Sequence, residues 1–180
     1  GGSYLFSPMF LSIYIIYIID KYTNSQTETI YKTIKYFDIN GAIFIKDCDN
    51  YFEHKITNKN CVCTLNINNN TNVNELHNKS FIEINNVDNI INICEKQIIS
   101  NIICVGGYGF EDTNLFIEQF EEINTSNNIL ENELYVSHII YKFLLNNIIF
   151  KNEEINNYID WGTQNQWNNY FSTFKTLFID

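Results

Sequence analysis

The stretch 41-GAIFIKDCDNYF-52 decides the reading of the fold. Four small or apolar residues, Ala42-Ile43-Phe44-Ile45, run straight into Asp47, Asp49 and Asn50. A short apolar run bounded by Gly and by Asp/Asn reads as a buried strand of a parallel sheet. In open α/β sheets, ligands sit outside the carboxyl ends of such strands. Asp47 and Asp49 stand at that end and suggest a metal or polar-ligand site, which needs partners from elsewhere in the chain.

Upstream, 23-TNSQTETIYKTIKYF-37 carries the start signal of a helix. Ser25 with Glu28 three residues on has the capping-box pattern, and Ile30, Ile34 and Phe37 repeat at helical spacing. Before it lies 9-MFLSIYIIYIID-20, too short to span a bilayer and without the basic flank of a signal peptide. Its Ile and Tyr content predicts a strand over 13–19. Strand, helix and the 42–46 strand form a β-α-β unit that delivers the Asp pair.

Downstream, 61–67, 81–84 and 90–94 read as strands, and Asn85-Asn86-Val87-Asp88 between the last two predicts a hairpin or a mixed-sheet insertion. The Asn-rich segment 66–78 is a surface loop. The run 101-NIICVGGYGF-110 is a strand ending in glycines, and residues 112–122 and 133–146 are helical, the first capped by Asp112. A short strand over 148–150, a helix over 164–173 and a strand over 176–180 complete the order. Alternating strands and helices give an α/β protein. Its expected architecture is a Rossmann-like mixed, mainly parallel sheet flanked by helices, in one domain over 1–180.

The chain has 180 residues, enough for one sizeable core, and its 45% hydrophobic and 16% aromatic content excludes a disordered chain. A net charge of −10 argues against a nucleic-acid partner. All basic residues are Lys, so a phosphate must be held by Lys, backbone amides or a metal ion, without the bidentate fork of Arg. The five cysteines show no CxxC pair and no zinc spacing, and they read as reduced thiols, mostly buried, of a cytoplasmic protein. The three histidines are scattered, and Ser137-His138 reads as surface and packing.

Four segments then lie in one order: "TNSQTET", "IKDCDNYF", "CEKQ…NIICVGGYGF" and "IDWGTQNQW". Together, over residues 13 to 175, they resemble the sugar-phosphate nucleotidyltransferase family, GT-A-like α/β enzymes, in the bacterial capsule and surface-polysaccharide branch. The resemblance implies a fold and a reaction: transfer of a nucleoside monophosphate from a nucleoside triphosphate to a phosphorylated sugar or small alcohol. It also implies Mg2+, held by the strand-end Asp49 with Asp47 beside it and by Asp160 of the segment Asp160-Trp161-Gly162-Thr163. Mg2+ takes one or two carboxylates plus phosphate oxygens.

Glu95-Lys96 matches a Glu-Lys pair that contacts the acceptor phosphate, which makes Lys96 a catalytic candidate beside Asp49. Gly106, Gly107 and Tyr108 match a Gly-Tyr segment on which the acceptor lies, and Gln26 matches a residue that reaches the nucleobase. Two departures stand out. The family's opening Gly-rich loop with a basic residue, which cradles the triphosphate, is not recognisable, so turnover by this chain is expected to be slow. The ending "FKTLFID" resembles the first strand of a fused haloacid-dehalogenase-type domain, so 175–180 reads as the start of a further domain. Two other readings stay open. Asp47-Cys48-Asp49 is also the D-x-D of a GT-A glycosyltransferase, and a missing phosphate loop fits a non-catalytic nucleotide-binding or interaction remnant.

Overall fold

The computed structural model describes residues 16–69, 75–126 and 133–178. Helix α1 spans Gln26–Phe37 and begins where the sequence places it: the Ser25 hydroxyl accepts the Glu28 amide at 3.1 Å. The Glu28 carboxylate returns the bond one residue earlier than a standard box, to the Asn24 amide at 2.7 Å. The helix ends at Asp38, in the left-handed region (φ 49°), whose N–H closes on the Ile34 and Lys35 carbonyls. Ile34 is buried, Tyr31 stacks on Phe120, and buried Thr27 donates to the Leu134 carbonyl at 2.9 Å.

The strands are β1 (Ile43–Lys46), β2 (Asn50–Phe52), β3 (Cys61–Asn66), β4 (Phe81–Ile84), β5 (Ile90–Cys94), β6 (Ile102–Phe110), β7 (Lys151–Glu154) and β8 (Tyr158–Asp160). Helices α2 (Thr113–Ser126), α3 (Val136–Leu145) and α4 (Gln164–Phe178) complete the order. The main sheet runs β5-β4-β6-β3-β7, with β1 also on β6, and β2 pairs with β8 in a separate ribbon. The α/β class and the mixed sheet hold, but the direction of pairing corrects the mainly parallel expectation. β6 is antiparallel to β1, β3 and β4, β4 is antiparallel to β5, and β3–β7 is the parallel pair of the main sheet. β1 is not buried on both faces either: its residues alternate between half-buried and exposed, with Phe44 42% exposed. An apolar run records that a strand packs, not which neighbour it pairs with.

Helices α1, α2 and α3 cover one face of the sheet over Val62, Ile82, Ile93, Tyr108 and Phe110. Phe110 contacts the rings of Phe116, Phe143 and Phe150, with centroids 5.0 to 5.7 Å apart. Burying each such side chain contributes about 1.5–3 kcal/mol. On the other face, Cys63, Leu65, Phe81, Ile103 and Val105 pack against Phe52 and Tyr158 of the β2–β8 ribbon. Three free cysteines (Cys61, Cys63 and Cys104) are buried, as expected, whereas Cys48 is exposed. Burial pushes the Cys63 thiol up to about 12, so it stays a protonated thiol.

Four other boundaries differ. Residues 16–19 form no strand and expose Ile16 and Ile18, while 13–15 lie outside the described residues. β6 continues through its glycines instead of ending at them. The strand expected at 148–150 is β7, starting at Lys151, because Phe150 turns into the core before the ladder begins. Residues 176–178 continue α4 rather than opening a strand, and 179–180 lie outside the described residues. No described helix is long and apolar enough to cross a membrane.

Candidate functional site

Between the end of β1, the middle of β6, the loop before β4 and the start of α3 lies a cleft of about 560 Å³. Its wall includes Gln26, Asp47, Asp49, Glu95, Gly106 and Tyr108, six of the residues singled out by sequence. Of the other wall residues that matter, Lys79, Ser80 and Tyr158 were not foreseen, Ser137 was expected at the surface, and Lys46, the lysine after the apolar run, also lines the cleft.

A β-bulge builds the floor. Cys63 pairs with Gly107 but Thr64 with Cys104, so Val105 and Gly106 are extra residues in β6. Gly106 has φ +77°, and its carbonyl is thereby aimed at the Asp47 amide, 2.8 Å away. A Cβ on Gly106 would meet the Asp47 carboxylate and come within 2.8 Å of Asn50 Nδ2. This glycine makes room for Asp47. Gly107 is needed for packing: a Cβ there would lie 2.7 Å from the Phe52 ring and 2.9 Å from Cys63 Sγ. Tyr108 is buried with one side on the cleft.

Gln26, at the first turn of α1, donates to Asp47 Oδ1. Burial and the nearby Asp49 push the Asp47 carboxyl up to about 6, against the lowering pull of Gln26, Lys46 and Lys79. Lys46 folds back over the turn, donating to the Asp47 carbonyl at 2.8 Å and to the Asn50 side chain, 4.6 Å above the Phe52 ring. Its pKa is lowered by burial, opposed by Asp47 and Asp49.

Asp49 and Asp160 meet through the β2–β8 ribbon. Asn50 pairs with Asp160, and the Trp161 amide donates to the Asp49 carbonyl at 2.8 Å. A Cβ on Gly162 would lie 3.2 Å from Asp160 Oδ1 and 3.5 Å from Asp49 Oδ2, so the two carboxylates flank one small cradle that glycine leaves open. Asp160 Oδ2 is bound by Lys79 Nζ at 2.6 Å, and Oδ1 accepts the Gly162 amide at 3.0 Å. Burial raises the Asp160 carboxyl, but these bonds and Tyr158 outweigh it and hold the group below its ordinary value. No group of three or more His, Cys, Asp or Glu among the described residues is arranged as a metal cage. The donor set is two carboxylates, with Asp47 turned toward Gly106. That set fits Mg2+, which takes few protein ligands and completes its shell with water and phosphate.

On the opposite wall Glu95 accepts the Ser80 hydroxyl and the Ser137 hydroxyl, the latter at 2.5 Å. Ser137 is therefore a buried part of the site rather than surface, and His138 packs beside it with Nδ1 accepting the Tyr135 amide at 3.1 Å. Lys96 is exposed after β5, bonded to the Tyr135 hydroxyl, with its ammonium 4.3 Å from that ring. Tyr135 lines the cleft, so Lys96 stands at its rim.

No family model and no curated protein matches the sequence. Solved structures do match. The nucleoside-diphosphate-sugar pyrophosphorylase from Vibrio cholerae RC9 superposes with a TM-score of 0.72 and 16% identity, over 86% of this chain and 67% of that one. The fold is the nucleotidyltransferase fold. The inositol-1-phosphate CTP transferase from T. maritima matches with a TM-score of 0.62 and 11% identity, over 84% of this chain and 61% of that one. The chain thus spans about two thirds of the length of these structures.

Proposed function

We propose that this nucleotidyltransferase-fold domain transfers a nucleoside monophosphate from a nucleoside triphosphate to a phosphorylated sugar or small alcohol, with Mg2+, in cytoplasmic steps of surface-polysaccharide biosynthesis. The observation that carries the reading is the convergence of Asp49 and Asp160, far apart in sequence, at the Gly162 cradle beside the cleft. The cleft wall carries Asp47, Asp49, Glu95 and Glu133 against Lys46 and Lys79. A triphosphate entering such a wall meets net repulsion unless a divalent cation accompanies it. The capsule-branch resemblance alone supports the pathway and the acceptor class.

The chain's own residues have distinct parts in this reading. Asp49 and Asp160 would hold the metal, which neutralises phosphate charge and favours departure of pyrophosphate. Gln26 presents an amide to the nucleobase, Glu95 accepts acceptor hydroxyls in place of Ser80 and Ser137, and Tyr108 with Gly106 forms the floor under the acceptor. Lys96 approaches the acceptor phosphate from the rim. The D-x-D glycosyltransferase reading is disfavoured, because Asp47 is committed to Gln26 and Gly106 while Asp49 turns toward Asp160.

The test is single-turnover release of pyrophosphate, across nucleotides and phosphorylated sugars and alcohols, with long incubation. Release that requires both Mg2+ and acceptor, and that falls by about 10²-fold or more in Asp49→Asn, supports the reading. Transfer from a nucleotide sugar without pyrophosphate, or no release with any pair, overturns it.

A further inference from the structure

Lys79 joins the cation cradle to the cleft. Its ammonium lies 2.6 Å from Asp160 Oδ2 and 3.3 Å from the Tyr158 hydroxyl, with side-chain exposures of 21% for Lys79 and 10% for Asp160. The other oxygen of the same carboxylate, Oδ1, faces the cradle shared with Asp49. Asp160 is therefore a two-faced anion, with an ammonium on one oxygen and the cation seat on the other. The Lys79 backbone is pinned where it enters the cleft wall: its carbonyl accepts the Lys96 amide at 3.1 Å, and its amide donates to the Leu76 carbonyl at 3.1 Å. The side chain is a flexible stem on a fixed base, and Lys79 is one of the residues that line the cleft.

We propose that Lys79 couples metal binding to polyphosphate binding, by holding Asp160 when the cleft is free and by transferring to a phosphate oxygen when metal and polyphosphate enter together. This rests on the nucleotidyltransferase reading above. The argument is electrostatic. A divalent cation at the cradle and an ammonium on the same carboxylate repel each other at short range in a half-buried site, where screening is weak. The metal alone must therefore bind against Lys79. A polyphosphate supplies the ammonium with a new anionic partner and the metal with oxygen ligands, which removes the conflict. By linkage, the metal then strengthens polyphosphate binding by the same factor as polyphosphate strengthens metal binding.

Lys46 does not share this part. Its ammonium is already held by the Asp47 carbonyl and the Asn50 side chain and carbonyl, all within the β1–β2 turn. Lys79 is the lining lysine with a carboxylate partner. An arginine would keep the charge at this position, whereas methionine keeps the stem and removes it.

The experiment titrates the full 180-residue chain with Mn2+ alone, followed by electron paramagnetic resonance and by Trp fluorescence, since Trp161 sits between the Asp49 carbonyl and Asp160. Calorimetry then measures inorganic pyrophosphate binding with and without Mn2+. In Lys79→Met, Mn2+ alone should bind at least tenfold tighter than in the wild type, while the Mn2+-dependent gain in pyrophosphate affinity should fall at least tenfold. Lys79→Arg should behave as the wild type in both measurements, which separates charge from packing, and circular dichroism verifies that each variant folds. Unchanged Mn2+ affinity in Lys79→Met, with binding still abolished by Asp49→Asn, overturns the coupling and leaves the functional reading intact. Absence of any Mn2+ binding sensitive to Asp49→Asn, in wild type and Lys79→Met alike, overturns both.

Discussion

Glu153 offers the sharpest perturbation outside the cleft. It is a buried carboxylate, 6% exposed, on the polar strand β7, and it clamps the connection between β2 and β3. Oε1 accepts the Thr57 amide at 3.1 Å, the Thr57 hydroxyl at 2.6 Å, the Asn58 amide at 2.9 Å and the Asn58 side chain at 2.7 Å. Oε2 meets His54 Nε2 at 2.7 Å. Burial raises this carboxyl, but the bonds from Thr57, His54 and Asn58 prevail and bring it down to about 2. Measured from its ordinary 4.5, the depression is worth about 3 kcal/mol at about 1.4 kcal/mol per unit. Solvent screening on the His54 side trims this to about 2 kcal/mol. A depressed carboxylate stabilises the fold fully above its unfolded pKa, and the contribution is lost as pH falls toward 2. Glu153→Gln keeps the shape of the protonated acid and removes the charge, with two N–H donors where the acid has one O–H. Urea unfolding should therefore show the variant about 2 kcal/mol less stable at pH 7, with the gap shrinking as pH falls below 4.5 and nearly closed at about pH 2. A gap that is equal at both pH values, or under about 0.5 kcal/mol at pH 7, would refute the clamp.

Gly106→Ala should lose at least about 2 kcal/mol in denaturant unfolding, from the left-handed backbone and from displacement of Asp47, and it should also disturb the cleft. Asp49→Asn should abolish the gain in nucleotide affinity conferred by Mg2+ in calorimetry, while Asp47→Asn should retain most of it, since Asp47 is turned away from the Gly162 cradle. Equal losses in the two would restore the D-x-D reading. Ser25→Ala should cost about 1 kcal/mol of stability through the lost N-cap of α1, measured by thermal or chemical unfolding.

What could be read from the sequence was local. The Ser25 cap, the spacing of Ile30, Ile34 and Phe37, and the β4–β5 hairpin all rest on contacts a few residues apart, and they stand as expected. Pairing direction was not legible, because Ile43-Phe44-Ile45 carries the same hydrophobicity beside a parallel or an antiparallel neighbour. β7 was placed too early, at 148–150, for a related reason. Its sequence Lys-Asn-Glu-Glu is polar, and what makes it a strand is its ladder with β3 together with the donors that converge on Glu153. Lys79 and Ser80 lie before β4 in no spacing motif at all. Asp160 lies 81 residues from Lys79 and becomes its neighbour only through the sheet, whereas Ser80 meets Glu95 across the open end of the β4–β5 hairpin.

The Asp47-Cys48-Asp49 triplet shows how spacing misleads where backbone regularity stops. On a strand, residues i and i+2 share a face, and the two carboxylates would then grip one ion. Here β1 ends at Lys46 and β2 begins at Asn50, so the triplet lies in the turn between them. The bulge at Val105-Gly106 draws the Asp47 amide onto β6 and turns its side chain toward Gln26. The β2–β8 ladder draws Asp49 the other way, toward Trp161, Gly162 and Asp160. One turn thus serves two partners. Asp47 ties α1 to the sheet at the base of the cleft, and Asp49 faces a second carboxylate from the far end of the chain. The juxtaposition of Asp49 and Asp160 depends on the pairing of two short strands, Asn50–Phe52 and Tyr158–Asp160, more than on the motif that first drew attention to it.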